Sequence, residues 1–168
     1  MFCWDTHLTK IKGGNVLFIV NASNRYTIAM TDIEPRNWNY YTMYIRSVIH
    51  GVMQEMGYSE DQIGQYFKMS GDTTVTKTHG RKSVGGINRM VMDAQYFGKK
   101  LEKEAKYQWE LSEYLNRDIC QPEGFDAYGY PSELFKLDME RLGIAAKRKL
   151  AKLINFSQYI ENNRGTNY

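Results

Sequence analysis

Apolar and polar residues alternate near the start of the chain. Phe2, Trp4 and Leu8 point one way, and Asp5, His7 and Thr9 the other. Period two with one apolar face predicts a half-buried strand over residues 2–11, with Asp5 and His7 more exposed than Trp4 and Leu8. Lys12-Gly13-Gly14-Asn15 predicts a hairpin turn centred on the two glycines, which accept positive φ. Val16 to Val20 is apolar on both faces and reads as a central strand. Asn21 to Asn24 has turn composition. Tyr26, Ile28 and Met30 then alternate with Arg25, Thr27 and Ala29, a third strand of an antiparallel meander.

The period changes after Pro35. Trp38, Tyr41, Ile45, Val48, Val52 and Met56 recur at three- and four-residue steps, one stripe of an amphipathic helix that Gly57 would end. Ser59 with Gln62 reads as a capping box opening a shorter helix to about Phe67. Thr73 to Lys77 favours the pleat, a fourth strand. Ser83 is placed to cap the next helix. The stripe of that helix runs Val84, Ile87, Val91, Ala94, Leu101, Ala105 and Trp109, with Gly98 as a kink or break. Pro131 suits a first helical turn and Gly143 a stop, and a last helix is expected to about Ile160.

These elements predict an α+β fold: a small antiparallel sheet of about four strands, with helices on one side and a helical C-terminal third. Residues 1–98 would form the α+β part and residues 99–168 a helical extension packed on it, within one structural unit. A chain of 168 residues with 42% hydrophobic and 24% charged residues can bury a core without metal or disulfide staples. The longest apolar run, Val16 to Val20, is far short of a membrane span, and no targeting segment is visible. The two cysteines, Cys3 and Cys120, and the three histidines lack metal-ligand spacing. The expectation is a cytoplasmic protein with no metal, no cofactor and no membrane partner; the oligomeric state is left open.

Charge adds a direction. The net charge is only +3, but it is unevenly spread. From Val75 to Lys106 there are eight Lys or Arg against three acids; from Tyr107 to Glu140 there are two against eight. Such asymmetry can build a one-signed face for a polyanion, or simply solvated helix faces. The stretch T-K-T-H-G-R-K-S, Thr76 to Ser83, concentrates the signal: three cations, one imidazole, three hydroxyls, one glycine and no acid. It leads into a helix N-terminus followed by Gly85 and Gly86. There, unpaired amides, the positive dipole end and a bidentate Arg81 could cradle a phosphate. It is not a Walker A loop. Lys77, Thr78, Arg81, Lys82 and Ser83, with Arg25 and Arg89, are the candidate phosphate-binding residues. Asn21 and Asn24 read better as turn-formers.

F-C-W-D-T-H-L-T, V-N-A-S-N-R-Y-T-I and T-K-T-H-G-R-K-S-V-G-G-I-N occur in that order over Met1 to Val91. Together they resemble a bacterial and phage domain family of unknown function, marked by W-x-x-x-L, V-N-x-x-N-R-Y-x-I and T-K-T-x-x-R-S elements. Here Lys82 separates Arg81 from Ser83, a departure from the last of these. The resemblance implies that Trp4, His7, Asn21, Asn24, Arg25, Lys77, Thr78 and Arg81 share one feature. It also implies a mobile-element protein in a bacterial host cell, of the anti-CRISPR inhibitor type, by analogy alone.

Three functions follow as expectations. The favoured one is a nucleic-acid binder, most of all of RNA, that inhibits an RNA-guided nuclease; 13 Tyr, 7 Phe and 3 Trp could supply stacking platforms, although most sit at core positions. The second is a metal-independent ribonuclease acting on guide RNA, with His7 and His79 as acid and base and Lys77 beside them. The third is a protein-interaction module whose acidic stretch, Glu110 to Glu140, docks on a nucleic-acid-binding protein.

Overall fold

The computed structural model describes residues 1–31, 40–77 and 80–146. Trp38, Asp32, Thr78, His79, the expected last helix and the cationic cluster of Lys147, Arg148, Lys149 and Lys152 lie outside the described residues. The fold is α+β. Strands β1 (Trp4–Ile11), β2 (Gly14–Asn21) and β3 (Thr27–Thr31) form one antiparallel sheet in the order β1-β2-β3. The five described helices are α1 (Tyr41–Glu55), α2 (Glu60–Ser70), α3 (Arg81–Gln95), α4 (Trp109–Asn116) and α5 (Pro131–Arg141).

The apolar run of β2 decides the architecture. Leu17 and Ile19 face one way, into a core with residues of α1, α2 and α5. Val16, Phe18 and Val20 face the other way, into a core with Ile87, Met90 and Ala94 of α3 and Leu111 and Leu115 of α4. Helices therefore cover both faces of the sheet, not one, because both faces of β2 are apolar and each must be buried. The same fact overturns the expected exposure along β1. Asp5 is 5% exposed and Leu8 45%. Asp5 lies opposite Val20 and His7 opposite Phe18, so their face of β1 is the one α3 covers. His7 is half-buried there.

The β1–β2 turn centres on Lys12 (φ 50°) and Gly13 (φ 84°), one residue earlier than the glycine pair suggests. Two positive φ values match the type I′ loop that suits strand twist. Lys12 accepts the strained angle while its ammonium donates to the carbonyls of Phe97 and Lys99 beyond the end of α3. Helix α3 stops at Gln95, with Tyr96 as C-cap and the Tyr96 and Phe97 N–H groups turned back on the Asp93 and Ala94 carbonyls, instead of running on to Trp109. The buried Gln108 organises the irregular segment that follows. Its amide accepts from the Glu102 N–H at 2.8 Å and donates to the Glu102 carbonyl at 2.8 Å.

Ser59 and Gln62 form the expected capping box of α2, and Gly57 (φ 87°) and Gly143 (φ 71°) follow α1 and α5. Two other expectations fail. Thr73 to Lys77 is exposed and pairs with no strand; threonine and valine favour the pleat only where a partner strand offers a ladder. The N-cap of α3 is Gly80, not Ser83.

The outer edge of β3 is closed without a fourth strand. The Thr31 N–H donates to the Lys106 carbonyl at 2.7 Å, and the Gln108 N–H to the Ala29 carbonyl at 2.9 Å. Side chains of α4 continue the ladder. The Ala29 N–H donates to Ser112 Oγ at 2.9 Å, and the Thr27 N–H to Asn116 Oδ1 at 2.8 Å. Asn116 Nδ2 returns a bond to the Thr27 carbonyl at 2.8 Å. Ser112 and Asn116 are buried on that helix because they stand in for backbone.

Candidate functional site

The V-N-A-S-N-R-Y element is the β2–β3 turn, and its asparagines hold it. Asn21 Oδ1 accepts from the Ser23 N–H at 3.0 Å, and Asn21 Nδ2 donates to the Met1 carbonyl at 2.8 Å. Asn24 Oδ1 accepts from the Tyr26 N–H at 2.9 Å, and its Nδ2 donates to Asp138 Oδ2 of α5 at 2.9 Å. This places Arg25 at φ 61°, a conformation side chains rarely adopt, and aims its guanidinium at α3. Arg25 Nη2 donates to the Gly86 carbonyl at 2.5 Å. Gly86 permits that approach, since a Cβ there would sit 2.9 Å from Arg25 Nη1. Arg25 is thus spent within the fold.

Ser83 is also turned inward. Its hydroxyl donates to Asp5 Oδ2, so the W-D-x-H-L element of β1 and the first turn of α3 meet at one buried carboxyl. Asp5 lies beneath the positive end of the helix and answers it from inside. The outer side of that turn differs. Lys77, Arg81 and Lys82 are exposed, and among the described residues no carboxylate pairs with any of them. Lys82 Nζ makes one long contact, 3.4 Å, with the Pro122 carbonyl. Gly80 gives the first turn no side-chain cap. Beside it lies a hollow of about 180 Å³ lined by Arg25, Lys82, Ser83, Gly85 and Glu123. Arg89 faces solvent further along α3, paired with Asp93 at 3.1 Å. Of the proposed acid–base pair, His7 is on β1 toward α3, and His79 lies outside the described residues, as does Thr78.

A second, larger cleft of about 370 Å³ opens between the start of β1, helices α1 and α2, and segment 71–77. Its floor is aromatic. Phe2 packs on Tyr66 with ring centroids 5.1 Å apart, and Trp4 Nε1 donates to Tyr66 Oη at 3.0 Å. Burial pushes the Tyr66 phenol up to about 12, which keeps it a neutral donor to the Met1 carbonyl. Burial raises the Tyr41 phenol too, partly offset by its hydrogen bond with Thr6. At the mouth the Arg46 guanidinium lies 4.5 Å over the Phe67 ring, and its Nη1 donates to Thr73 Oγ1 at 3.0 Å. Lys77 belongs to this cleft as well as to the basic stretch. Sequence reasoning missed Arg46 and Phe67; both sit beside a helix stripe, and nothing local marks them.

Burial, with Asp5 nearby, raises the Cys3 thiol, and burial raises that of Cys120. Both are therefore poor nucleophiles near neutral pH. Among the described residues no group of three His, Cys, Asp or Glu converges to hold a metal ion, and no helix is long and apolar enough to cross a membrane.

No curated protein and no solved structure matches the chain. A family model does. It spans residues 1–134 and so takes in all three motif elements and helices α1 to α4. By that match the chain belongs to the family of the domain of unknown function DUF6933.

Proposed function

We propose that this protein binds nucleic acid, RNA before DNA, through the basic stretch that opens α3. One observation carries the reading: Lys77, Arg81 and Lys82 all face solvent, among the described residues none has a carboxylate partner, and they lie beside a helix start with no side-chain cap. Exposed cations of this kind are free to exchange their counterions for phosphates. The outer face of α3 continues with Arg89, which is also exposed. The guide RNA of an RNA-guided nuclease is the first ligand to try, in keeping with an inhibitor carried by a phage or mobile element.

The test is anisotropy of a labelled single-stranded RNA over a salt series, with wild type and Arg81→Ala. The variant should bind more weakly, lower the salt slope by about 0.7, and melt at the wild-type temperature. A destabilised variant with unchanged RNA affinity would refute the reading, as would a wild type that binds no RNA. A shortened RNA on a gel would move the assignment to a ribonuclease.

A further inference from the structure

The larger cleft has the make-up of a site for a flat, polar-edged group. Its volume, about 370 Å³, lies within the roughly 300–1,000 Å³ of ligand clefts. Phe2, Trp4, Tyr66 and Phe67 give it apolar walls, while Arg46 and Lys77 stand at its rim. The Arg46 bonds to Thr73 Oγ1 and the Gly71 carbonyl both come from Nη1, so among the described residues Nε and Nη2 are left for a ligand. Its guanidinium plane, already laid over Phe67, is a surface on which a base stacks. The one carboxylate of segment 71–77, Asp72, also lines the mouth and can accept from an exocyclic amino group. Lys77 is shared by this cleft and the stretch that ends in Arg81 and Lys82, so a strand gripped there passes the mouth.

We propose that the cleft receives one unstacked base of the bound RNA strand, cytosine being suited to Asp72. The inference rests on the RNA-binding reading and adds the place where a base is held. It assigns Arg46, backed by Phe67, to stacking, Lys77 to the adjoining phosphate and Asp72 to the base edge.

Two labelled strands separate the two ideas: a 12-nucleotide cytidine RNA and an abasic strand with the same ribose-phosphate backbone. Wild type should bind the cytidine strand about tenfold more tightly, one stacked base's worth. Phe67→Ala should bring the ratio near one with the abasic affinity unchanged, and Phe67→Tyr should restore it. Thr76→Trp, in the exposed segment and away from the core, narrows the mouth and should lower the same ratio, so the test survives a poorly folding Phe67→Ala. Equal affinity of wild type for both strands overturns the cleft proposal and spares the basic stretch. A preference that persists in folded Phe67→Ala or in Thr76→Trp also overturns it. Binding of neither strand removes the RNA reading and this inference together.

Discussion

Adjacent glycines in α3 should respond to the same substitution with opposite sign. Glycine inside a helix costs about 0.5–1 kcal/mol relative to alanine, mostly as backbone entropy. At Gly85 an added Cβ meets nothing within 4 Å, so Gly85→Ala should realise that gain in full. At Gly86 the new Cβ would lie 2.9 Å from Arg25 Nη1 and 3.1 Å from Cζ. The guanidinium must swing away and give up its bond to the Gly86 carbonyl. Hydrogen bonds of charged groups contribute about 1.5–3 kcal/mol, more than the helix gain. Gly86→Ala should therefore destabilise by about 0.5–2.5 kcal/mol, the difference between those ranges. Urea unfolding reads both variants as shifts in midpoint at constant slope. In an Arg25→Ala background Gly86→Ala should turn stabilising, and the double-mutant cycle measures the coupling. If Gly85→Ala and Gly86→Ala share a sign, or the coupling is near zero, Arg25 is not the partner that holds Gly86 small.

Two further outcomes concern buried groups. Tyr66, whose phenol is raised to about 12, keeps its proton in the folded chain while the unfolded chain loses it near pH 10. In that window the unfolded state binds fewer protons, so stability should fall by about 1.4 kcal/mol per pH unit for this group. Tyr66→Phe should flatten the decline, leaving the shares of Tyr26, Tyr41 and Tyr107, which burial also raises; an unchanged alkaline slope in a pH series of urea midpoints would contradict this. Asn116→Ala leaves the Thr27 N–H and carbonyl without their partners and should cost at least about 2 kcal/mol. A midpoint shift equivalent to less than about 0.5 kcal/mol would mean that water takes over those bonds.

What the sequence made legible was local. The extended run of β1, the two-sided apolar run of β2, the Ser59–Gln62 box and the glycines after α1 and α5 each depend on neighbours a few residues away, and each stands in the fold. The failures share a cause in long-range contact. Asp5 is buried because Ser83, 78 residues on, reaches it, and no alternation pattern carries that information. The strand expected over Thr73 to Lys77 has no partner strand, although its composition fits one. At the candidate site, sequence marks Lys77, Arg81 and Lys82 as a cationic stretch, and their exposure is what any solvated surface would give. It does not mark Arg25 as internally committed, nor Arg46 and Phe67 as the mouth of a cleft, since those facts exist only once α1, α2 and segment 71–77 are brought together.

The closure of β3 by side chains has a consequence in time. Thr27 and Asn116 are 89 residues apart. A ribosome adding about 5–20 residues per second takes roughly 4–18 s to deliver the second after the first. Through that interval the nascent chain holds an apolar hairpin meander with one edge unsealed, a template for pairing with a neighbouring nascent chain. A fragment cut after α3 would carry every motif residue of the basic stretch and keep that edge open permanently. The family match reaches residue 134, beyond α4, and so includes the helix that ends this exposure. Slower synthesis at low temperature lengthens the interval, and a yield that rises when translation is fast relative to chain encounter would be the signature in an expression experiment.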